Sequence, residues 1–130
     1  MPERSTKGVL MRTLSLLLPL AATLAFASAG GASTSGTVTL TGTVGPGFTI
    51  TLKNHGKAVK SLAPTKFEFV IHDNSNIHDF HLTGPGVNRK TRISGTGVSH
   101  WTLTLRKGTY RFVCDPHASL MKGMFVVRAP

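Results

Sequence analysis

The chain has 130 residues, with 15 Lys and Arg against 5 Asp and Glu and a formal net charge of +10. This length allows at most one ordinary domain, and the single cysteine excludes an internal disulfide. The basic residues are scattered apart from a small cluster at 89–92, whereas nucleic-acid binding proteins carry a basic stripe with exposed aromatics. The composition therefore argues against nucleic acid and favours a partner protein with an acidic surface.

Residues 1–29 have the pattern of a secretory signal peptide. Basic residues within 1–12 precede an apolar run at 14–27, and Ala27-Ser28-Ala29 provides the small residues of a cleavage site. A membrane anchor is the alternative, but the run is shorter than the ~20 residues of a spanning helix, and Pro19 interrupts it. We predict cleavage before Gly30, export to the periplasm or out of the cell, and no stable membrane insertion afterwards.

The rest of the chain is predicted to be a flexible lead-in at 30–36, rich in Gly, Ser and Thr, followed by one domain at 37–130. No segment after the signal peptide has a sustained 3.6-residue apolar period. Apolar alternation between Gly, Pro and Asn turns predicts strands at 37–44, 48–53, 66–72, 77–83, 99–105, 109–114 and 122–127, with a short edge strand at 91–93 and an ambiguous segment at 58–65. Seven or eight short strands indicate an all-β protein, an antiparallel β-sandwich.

A segment near the C-terminus places a thiol, an imidazole and a thioether within eight residues, at Cys114, His117 and Met121. A lone cysteine is a liability in an oxidising compartment unless it is used or buried. These soft and borderline donors suit copper rather than magnesium or calcium. A blue-copper site needs one thiolate, two imidazoles and a weak axial thioether, so one imidazole must come from elsewhere. Met124 is an alternative to Met121 as the thioether.

Of the six histidines, three are predicted to face solvent. His55 lies in a turn, and His72 and His100 alternate with the apolar faces of their strands. His78 shares a strand face with Phe80 and therefore points inward, just after a polar turn. His81 points the other way, toward the surface. His78 is thus the predicted second imidazole, although an inward histidine is by itself more often a core residue.

The segments Asn76–Phe80 and Tyr110–Met121 together resemble the cupredoxin family, of the plastocyanin, amicyanin and pseudoazurin type. The resemblance covers nearly all of the chain after the signal peptide, and the Cys-x-x-His-x(2–4)-Met motif is its specific part. It implies a Greek-key β-sandwich. It also implies one copper ion with His78, Cys114 and His117 as trigonal ligands and Met121 as the axial ligand.

Two positions depart from common features of the family. Many members have Asn directly after the first histidine, where it ties the ligand loops together, and this chain has Asp79. Remaking that tie with a carboxylate is expected to affect the reduction potential. Pro116 has no N–H, so the thiolate cannot receive a hydrogen bond from that position, as in the members that share the Cys-x-Pro-His pattern.

The resemblance implies one-electron transfer with copper cycling between Cu(I) and Cu(II). The ring edge of His117 would be the electron gate, inside an apolar patch with Pro46, Pro116, Ala118 and Leu120 as candidates. The alternatives are a copper carrier or buffer in the exported space, with the same ligands, and a metal-free structural sandwich. We expect a monomer. We also expect that it is not an enzyme, because the chain has no Ser/His/Asp arrangement and few carboxylates.

Overall fold

The computed structural model describes residue 8 and residues 36–130, so the predicted signal peptide and most of the predicted lead-in lie outside the described residues. One turn of 3-10 helix, Asp115–His117, precedes the last strand. No helix within this described part is long and apolar enough for a membrane span. The strands are β1 (Val38–Val44), β2 (Ile50–Asn54), β3 (Lys57–Ala58), β4 (Ser61–Leu62), β5 (Lys66–Asp73), β6 (His81–Gly84), β7 (Val87–Lys90), β8 (Gly97–Thr104), β9 (Gly108–Val113) and β10 (Lys122–Val127).

The strands form two five-stranded sheets, in the orders β3-β2-β1-β5-β8 and β4-β10-β9-β6-β7. Eight strands have four or more residues, and the two-residue strands β3 and β4 lie in or beside the ambiguous segment. Most pairs are antiparallel, but β1 pairs with β5, and β4 with β10, in the parallel direction. The sheets are therefore mixed, in contrast to the antiparallel sandwich predicted from the sequence. The chain crosses to the second sheet at β4 before it returns as β5.

The core lies between the predicted apolar faces of the strands. Phe67, Phe69 and Ile71 on β5 are buried, as their alternation predicts. Trp101 on β8 and Tyr110 on β9 are buried as well, and the Tyr110 hydroxyl donates to the carbonyl of Arg106 at 2.9 Å while accepting from the N–H of Arg106 at 3.0 Å. The all-β prediction is therefore confirmed, with its core on the predicted faces.

Three local predictions differ from the structure. β2 begins at Ile50, so Phe48 lies in the preceding loop instead of the core. β6 begins at His81, and residues 78–80 are an irregular segment whose three side chains are all buried. The short edge strand is β7 and not 91–93. Period-two alternation failed at 78–80 because hydrogen bonds to side chains replace the ladder there.

We expect substitution of Gly123 by alanine to lower the free energy of unfolding by about 1–3 kcal/mol, the usual cost of overpacking. A Cβ at Gly123 would overlap the ring of Phe112, which in turn stacks on Phe80 at 5.6 Å. Urea unfolding measures the loss. Gly47→Ala is the control, because nothing lies within 4 Å of a Cβ there; equal effects of both substitutions would contradict the packing argument.

Candidate metal centre

The connection from β9 to β10 positions Cys114, His117 and Met121. The N–H of Cys114 donates to the carbonyl of Met121 at 3.0 Å and closes the loop where the two strands separate. Within the loop, the carbonyl of His117 accepts from the N–H of Leu120 at 2.9 Å and from that of Met121 at 2.8 Å. Pro116 stands in the first turn of the 3-10 helix, where a missing N–H is tolerated. The sequence thus folds locally into a tight loop whose backbone is hydrogen-bonded across its base.

His78 is held by the irregular segment between β5 and β6. The hydroxyl of Thr91 donates to Oδ2 of Asp73 at 2.8 Å and accepts from the N–H of Phe80 at 2.9 Å. The N–H of Thr91 donates to the carbonyl of Phe80 at 3.1 Å. His78 itself is fully buried. Side chains on neighbouring elements therefore fix this segment, and its inward direction agrees with the prediction although no strand imposes it.

Three potential ligand atoms converge in this region. Nδ1 of His78 lies 3.0 Å from Nδ1 of His117, and Sγ of Cys114 lies 3.5 Å from the first and 3.6 Å from the second. A first-row metal bound at about 2.0 Å to nitrogen and about 2.3 Å to sulfur brings its ligand atoms about 3–4 Å apart. The three side chains therefore fit a single copper ion, and thiolate with imidazole is a donor set that copper accepts.

The two candidate thioethers have opposite environments. Met121 is 1 % exposed and ends the ligand loop, whereas Met124 is 58 % exposed on β10, opposite Arg111 of β9. A side chain on the solvent face of a sheet cannot reach a buried thiol and imidazole. Met121 is therefore buried at the end of the loop that carries Cys114 and His117, and its assignment as the thioether ligand stays a prediction.

Asp79 connects the two segments that carry the donors. Its Oδ1 accepts the backbone N–H of Asp115 at 2.6 Å, so a carboxylate provides the tie that the sequence left in question. Asp79 is fully buried, and burial raises its pKa, with the hydrogen bond from Asp115 acting in the opposite direction. Oδ2 of Asp79 and Nε2 of His78 have no hydrogen-bond partner among residues 36–130. Oδ2 of Asp79 is therefore a buried acceptor without a hydrogen bond, close to the donor cluster.

The thiol of Cys114 is buried, and burial raises its pKa. Hydrogen bonds from the backbone of Asp79 and His117 lower the pKa and offset part of this effect. Position 116 can contribute no such bond because it is proline. Metal binding requires the thiolate and releases a proton, so this site is expected to bind copper more tightly as pH rises.

Phe48 is the residue that sequence reasoning missed. Its ring lies edge-on to both imidazoles, at 5.3 Å from that of His78 and 4.9 Å from that of His117, although it is 58 % exposed. The interrupting Gly45-Pro46-Gly47 was the available signal, because such a turn ends strand alternation. Phe48 thus covers the donor cluster on its outer side.

His81 belongs to a separate hydrogen-bonded group beside the site. Its Nδ1 lies 2.7 Å from Oδ1 of Asp115 and its Nε2 lies 2.8 Å from Oδ1 of Asn88, while Nζ of Lys90 lies 3.4 Å from Oδ2 of Asp115. Asp79, His81 and Asp115 could by distance hold a metal, but both nitrogens of His81 already have partners. The structure therefore keeps His81 apart from the donor cluster, as predicted.

The remaining histidines lie away from the donors. His55 is exposed in the β2–β3 turn, and His72 is partly buried on β5. His100 is exposed, with its Nδ1 at 3.2 Å from Oε1 of Glu68. None of these three is grouped with a cysteine within the described part of the chain.

We expect the His81–Asp115 pair to stabilise the fold most between about pH 4 and pH 6.5. Burial lowers the pKa of His81, but its hydrogen bonds to Asp115 and Asn88 outweigh this and raise the pKa above 6.5, so the contribution is lost as pH rises through the folded value. Burial raises the pKa of Asp115, but the hydrogen bond to His81 outweighs this and lowers the pKa below 3.8 in the folded state. The contribution is therefore complete above 3.8 and is lost as pH falls through the lower, folded-state pKa.

Urea unfolding of wild type and His81→Gln at several pH values tests this window. Because both side chains are partly exposed, the wild-type advantage at pH 5.5 should be no more than about 1 kcal/mol and should shrink by pH 9. His100→Gln is the control, since His100 and its partner Glu68 are both more exposed. A difference that does not change with pH would contradict the ion-pair interpretation.

Comparison with known proteins gives the family. Residues 43–128 match the model of the family described as copper binding proteins, plastocyanin/azurin family. No curated protein sequence matches the chain. Among solved structures, reduced rusticyanin has 23% identity and a TM-score of 0.51 over 71% of this chain and 79% of that chain. Rusticyanin from Thiobacillus ferrooxidans has 23% identity and a TM-score of 0.50 over 71% and 77%.

At 23% identity the solved structures support the fold only. The match to the family model is what assigns the chain to a family. The matched range includes both donor-bearing segments, with His78, Cys114, His117 and Met121. The resemblance seen in the sequence is therefore confirmed, and copper is the cofactor that the family and the donor cluster agree on. The chain belongs to the plastocyanin/azurin family of copper-binding proteins.

Proposed function

We propose that the protein is a small exported one-electron carrier that holds one copper ion with His78, Cys114, His117 and, axially, Met121. The observation that carries the proposal is the convergence of one sulfur and two imidazole nitrogens within 3.6 Å, at a loop that ends in the buried Met121. Bound copper supplies a couple between Cu(I) and Cu(II) that accepts and releases a single electron. No second donor cluster with a cysteine occurs among the described residues.

The chain's own part in electron transfer is to hold the donors still. Cys114 and Met121 are joined by a backbone hydrogen bond at the base of the loop, and Asp79 ties that loop to the segment with His78. Donors that change position little between oxidation states keep the reorganisation small. A paired loop on two strands is therefore suited to repeated one-electron cycling.

The ring of His117 is the proposed entry point for the electron. The side chain of His117 is more exposed to solvent than that of His78, and its ring packs against the exposed Phe48. Leu120 is 72 % exposed and Ile77 is 51 % exposed, and each is close in sequence to one of the imidazoles. Together with the exposed Pro46, Pro116 and Ala118, these side chains are the proposed apolar docking surface, from which a partner would displace water.

The partner is proposed to carry an acidic surface. Without the proposed signal peptide, residues 30–130 keep 12 Lys and Arg against 4 Asp and Glu, a net charge of +8, and an excess of one sign accelerates encounter with the opposite sign. Since the Debye length shrinks from about 10 Å at 0.1 M to about 3 Å at 1 M ionic strength, the association rate should fall as salt rises. Export and the monomeric state are further parts of this proposal, and export relies on the signal-peptide pattern of residues 1–29.

Cyclic voltammetry of the copper-loaded protein tests the proposal. We expect one reversible one-electron couple, with a peak separation that stays small as the scan rate increases. The zinc-loaded protein is the matched control, because zinc has no redox couple and can use the same donors. Copper that binds tightly but passes to a chelator without reversible cycling would reject electron transfer and favour copper carriage.

A further inference from the structure

β8 is an edge strand of the first sheet, and it is the longest of the four strands that end the two sheets. β3 and β4 have two residues each and β7 has four, whereas β8 has eight. On one side β8 pairs with β5 along its whole length. On its other side the sheet ends. An edge of this kind displays a row of N–H and C=O groups that can pair with another chain.

The register shows which backbone groups of β8 face this open side. The N–H of Leu105, just after the strand, donates to the carbonyl of Thr65, just before β5, at 3.0 Å. Because hydrogen-bonded and non-hydrogen-bonded pairs alternate along an antiparallel ladder, the odd-numbered residues of β8 bond to β5 and the even-numbered residues point away from it. The N–H groups of His100, Thr102 and Thr104 therefore point outward. Within residues 36–130 they have no partner in another strand or in a loop.

The open side of β8 has room for a further strand. A strand added to a sheet lies about 4.8 Å from its neighbour. Among the described elements, β5 alone lies alongside β8, and every other element makes no more than an isolated approach to it. The side chains of His100, Thr102 and Thr104 are exposed. No strand of the described part of the chain therefore occupies the place beside these three residues.

β8 also lacks the features with which proteins usually protect a strand edge, namely charged side chains, proline, a bulge or a very short length. Residues 97–104 include no Asp, Glu, Lys, Arg or Pro. Their register with β5 is continuous, so no bulge interrupts the strand. β7, the edge strand of the second sheet, is short and carries Arg89 and Lys90. Of the four edges, β8 is therefore the one that is available for pairing.

Exposed cations surround the open side of β8. The guanidinium of Arg89 lies 6.0 Å from the ring centroid of Trp101, so this side chain reaches β8 from the second sheet. Arg92 lies in the loop before β8, and Arg106 and Lys107 come shortly after the strand. None of these four basic side chains forms an ion pair within residues 36–130. A surface with charges of one sign attracts groups of the opposite sign.

The same cations argue against a second copy of this chain as the occupant of the edge. Two copies paired through β8 would bring the four cations of one copy toward those of the other. Glu68 on β5 is the register partner of Thr102, but its Oε1 lies 3.2 Å from Nδ1 of His100 and is already engaged there. An extended segment with carboxylates of its own is therefore the occupant that the charges favour.

The first residue of β8 lies at the end of the sandwich that carries the copper donors. Gly97 pairs with Asp73, the last residue of β5, and the segment with His78 follows Asp73 in the chain. A chain paired with β8 is therefore held at one side of the donor end.

We propose that the open edge of β8 binds an acidic extended segment of a partner protein, which adds to the five-stranded first sheet as a further strand. The main chain of the segment bonds to His100, Thr102 and Thr104, as in other cases of strand addition. Its carboxylates lie near Arg89 and near the cations at the two ends of β8. This inference rests on the proposed function only for the identity of the partner as a redox protein. The binding itself uses no copper ligand.

Hydrogen exchange at single amides of the full-length chain tests the proposal. The probe is a seven-residue peptide of alternating Glu and Thr, whose carboxylates share one face of a strand, and the matched control peptide has Gln for Glu. At about ten times the Kd of the acidic peptide, about a tenth of the protein stays free, so exchange at the N–H groups of His100, Thr102 and Thr104 should slow about tenfold. The N–H groups of Trp101 and Leu103 already bond to β5 and should slow much less. The Gln peptide at the same concentration should have a much smaller effect.

Proline at position 102 tests the main-chain pairing. Thr102→Pro removes an N–H that faces away from β5, and edge strands accept proline at such positions. The variant should lower the affinity for the acidic peptide at least about fivefold, since it loses one hydrogen bond to the added strand. The control Thr102→Val keeps the N–H and a β-branched side chain, and it should change the affinity less than about twofold. The dispersion of the NMR spectrum confirms that both variants are folded.

Arg89→Gln tests the charges, and it decides the question if Thr102→Pro does not fold. It should lower the affinity for the acidic peptide about two- to threefold, as expected for one exposed ion pair, and leave that for the Gln peptide unchanged. Arg111→Gln is the control, because it removes the same charge at an exposed position on β9, the middle strand of the second sheet. This control should leave the affinity nearly unchanged.

The outcomes distinguish the two proposals. Absence of binding, equal slowing at neighbouring amides of β8, equal losses in a variant and its control, or equal binding of both peptides would each overturn the edge proposal. Protection of His100, Thr102 and Thr104 that grows with protein concentration in the absence of peptide would overturn it as well, because it would assign the edge to a second copy. Loss of the reversible couple in voltammetry, with the peptide still bound at β8, would reject the proposed function and leave the edge proposal intact. Measuring both metal-free and reduced copper-loaded protein provides that separation.

Discussion

Serine in place of Cys114 is expected to abolish the intense visible absorption of the copper-loaded protein. The absorption arises from charge transfer between thiolate sulfur and Cu(II), and a hydroxyl oxygen cannot replace a soft thiolate ligand. In wild type, copper at 100 times its Kd should raise the free energy of unfolding by about 2.7 kcal/mol. That gain should be nearly absent in Cys114→Ser. Absorption spectra and thermal unfolding with and without Cu(II) measure both effects.

Two histidine variants complete this test. His78→Ala should also lose the band, because its Nδ1 lies 3.5 Å from the sulfur. His81→Ala should keep the band, since His81 bonds to Asp115 and Asn88 outside the donor cluster. A band that survives in Cys114→Ser would reject the proposed ligand set. Loss of the band in His81→Ala but not in His78→Ala would identify His81, and not His78, as the second imidazole ligand.

Alanine in place of Met121 is expected to lower the free energy of unfolding of the metal-free protein by about 2–5 kcal/mol, the range for deleting a buried methionine side chain. Met121 is 1 % exposed within the core, whereas Met124 is 58 % exposed. Met124→Ala is therefore the control and should stay within about 0.5 kcal/mol of wild type. Similar losses in both variants would contradict the burial difference.

Leucine at the same two positions isolates the ligand role from packing. Met121→Leu keeps the side-chain volume and should cost less than about 1.5 kcal/mol, while removal of the thioether should shift the reduction potential, because the axial ligand tunes such sites. Met124→Leu should leave the potential unchanged. A shift in Met124→Leu alone would assign the axial position to Met124.

The sequence alone was sufficient for much of the fold, because each strand buries one face. Phe67, Phe69 and Ile71 follow the period of two, and burial of alternate residues is the physical cause of that pattern. Where the backbone leaves the ladder, the pattern has no such cause. The spacing of Phe48 fits the apolar face of β2, but Phe48 lies in the loop two residues before that strand begins. Its ring packs against both imidazoles.

The donors show the same division between sequence and tertiary structure. Cys114, His117 and Met121 are close in the chain, so their spacing alone predicts a copper site. His78 is 36 residues from Cys114, and its distance of 3.5 Å depends on how β6 pairs with β9. Spacing along the chain cannot determine such a contact, because it depends on sheet order.

The all-β class, the family motif and the soft donor set near the C-terminus can be predicted from the amino-acid order, since these depend on local periodicity and residue chemistry. Three features required the folded chain: Asp79 ties the two donor segments, Met124 faces solvent, and Phe48 lies against the imidazoles. Each of these contacts joins residues far apart in the chain or depends on which sheet face a strand presents. Their geometry therefore appears only when the two sheets pack together.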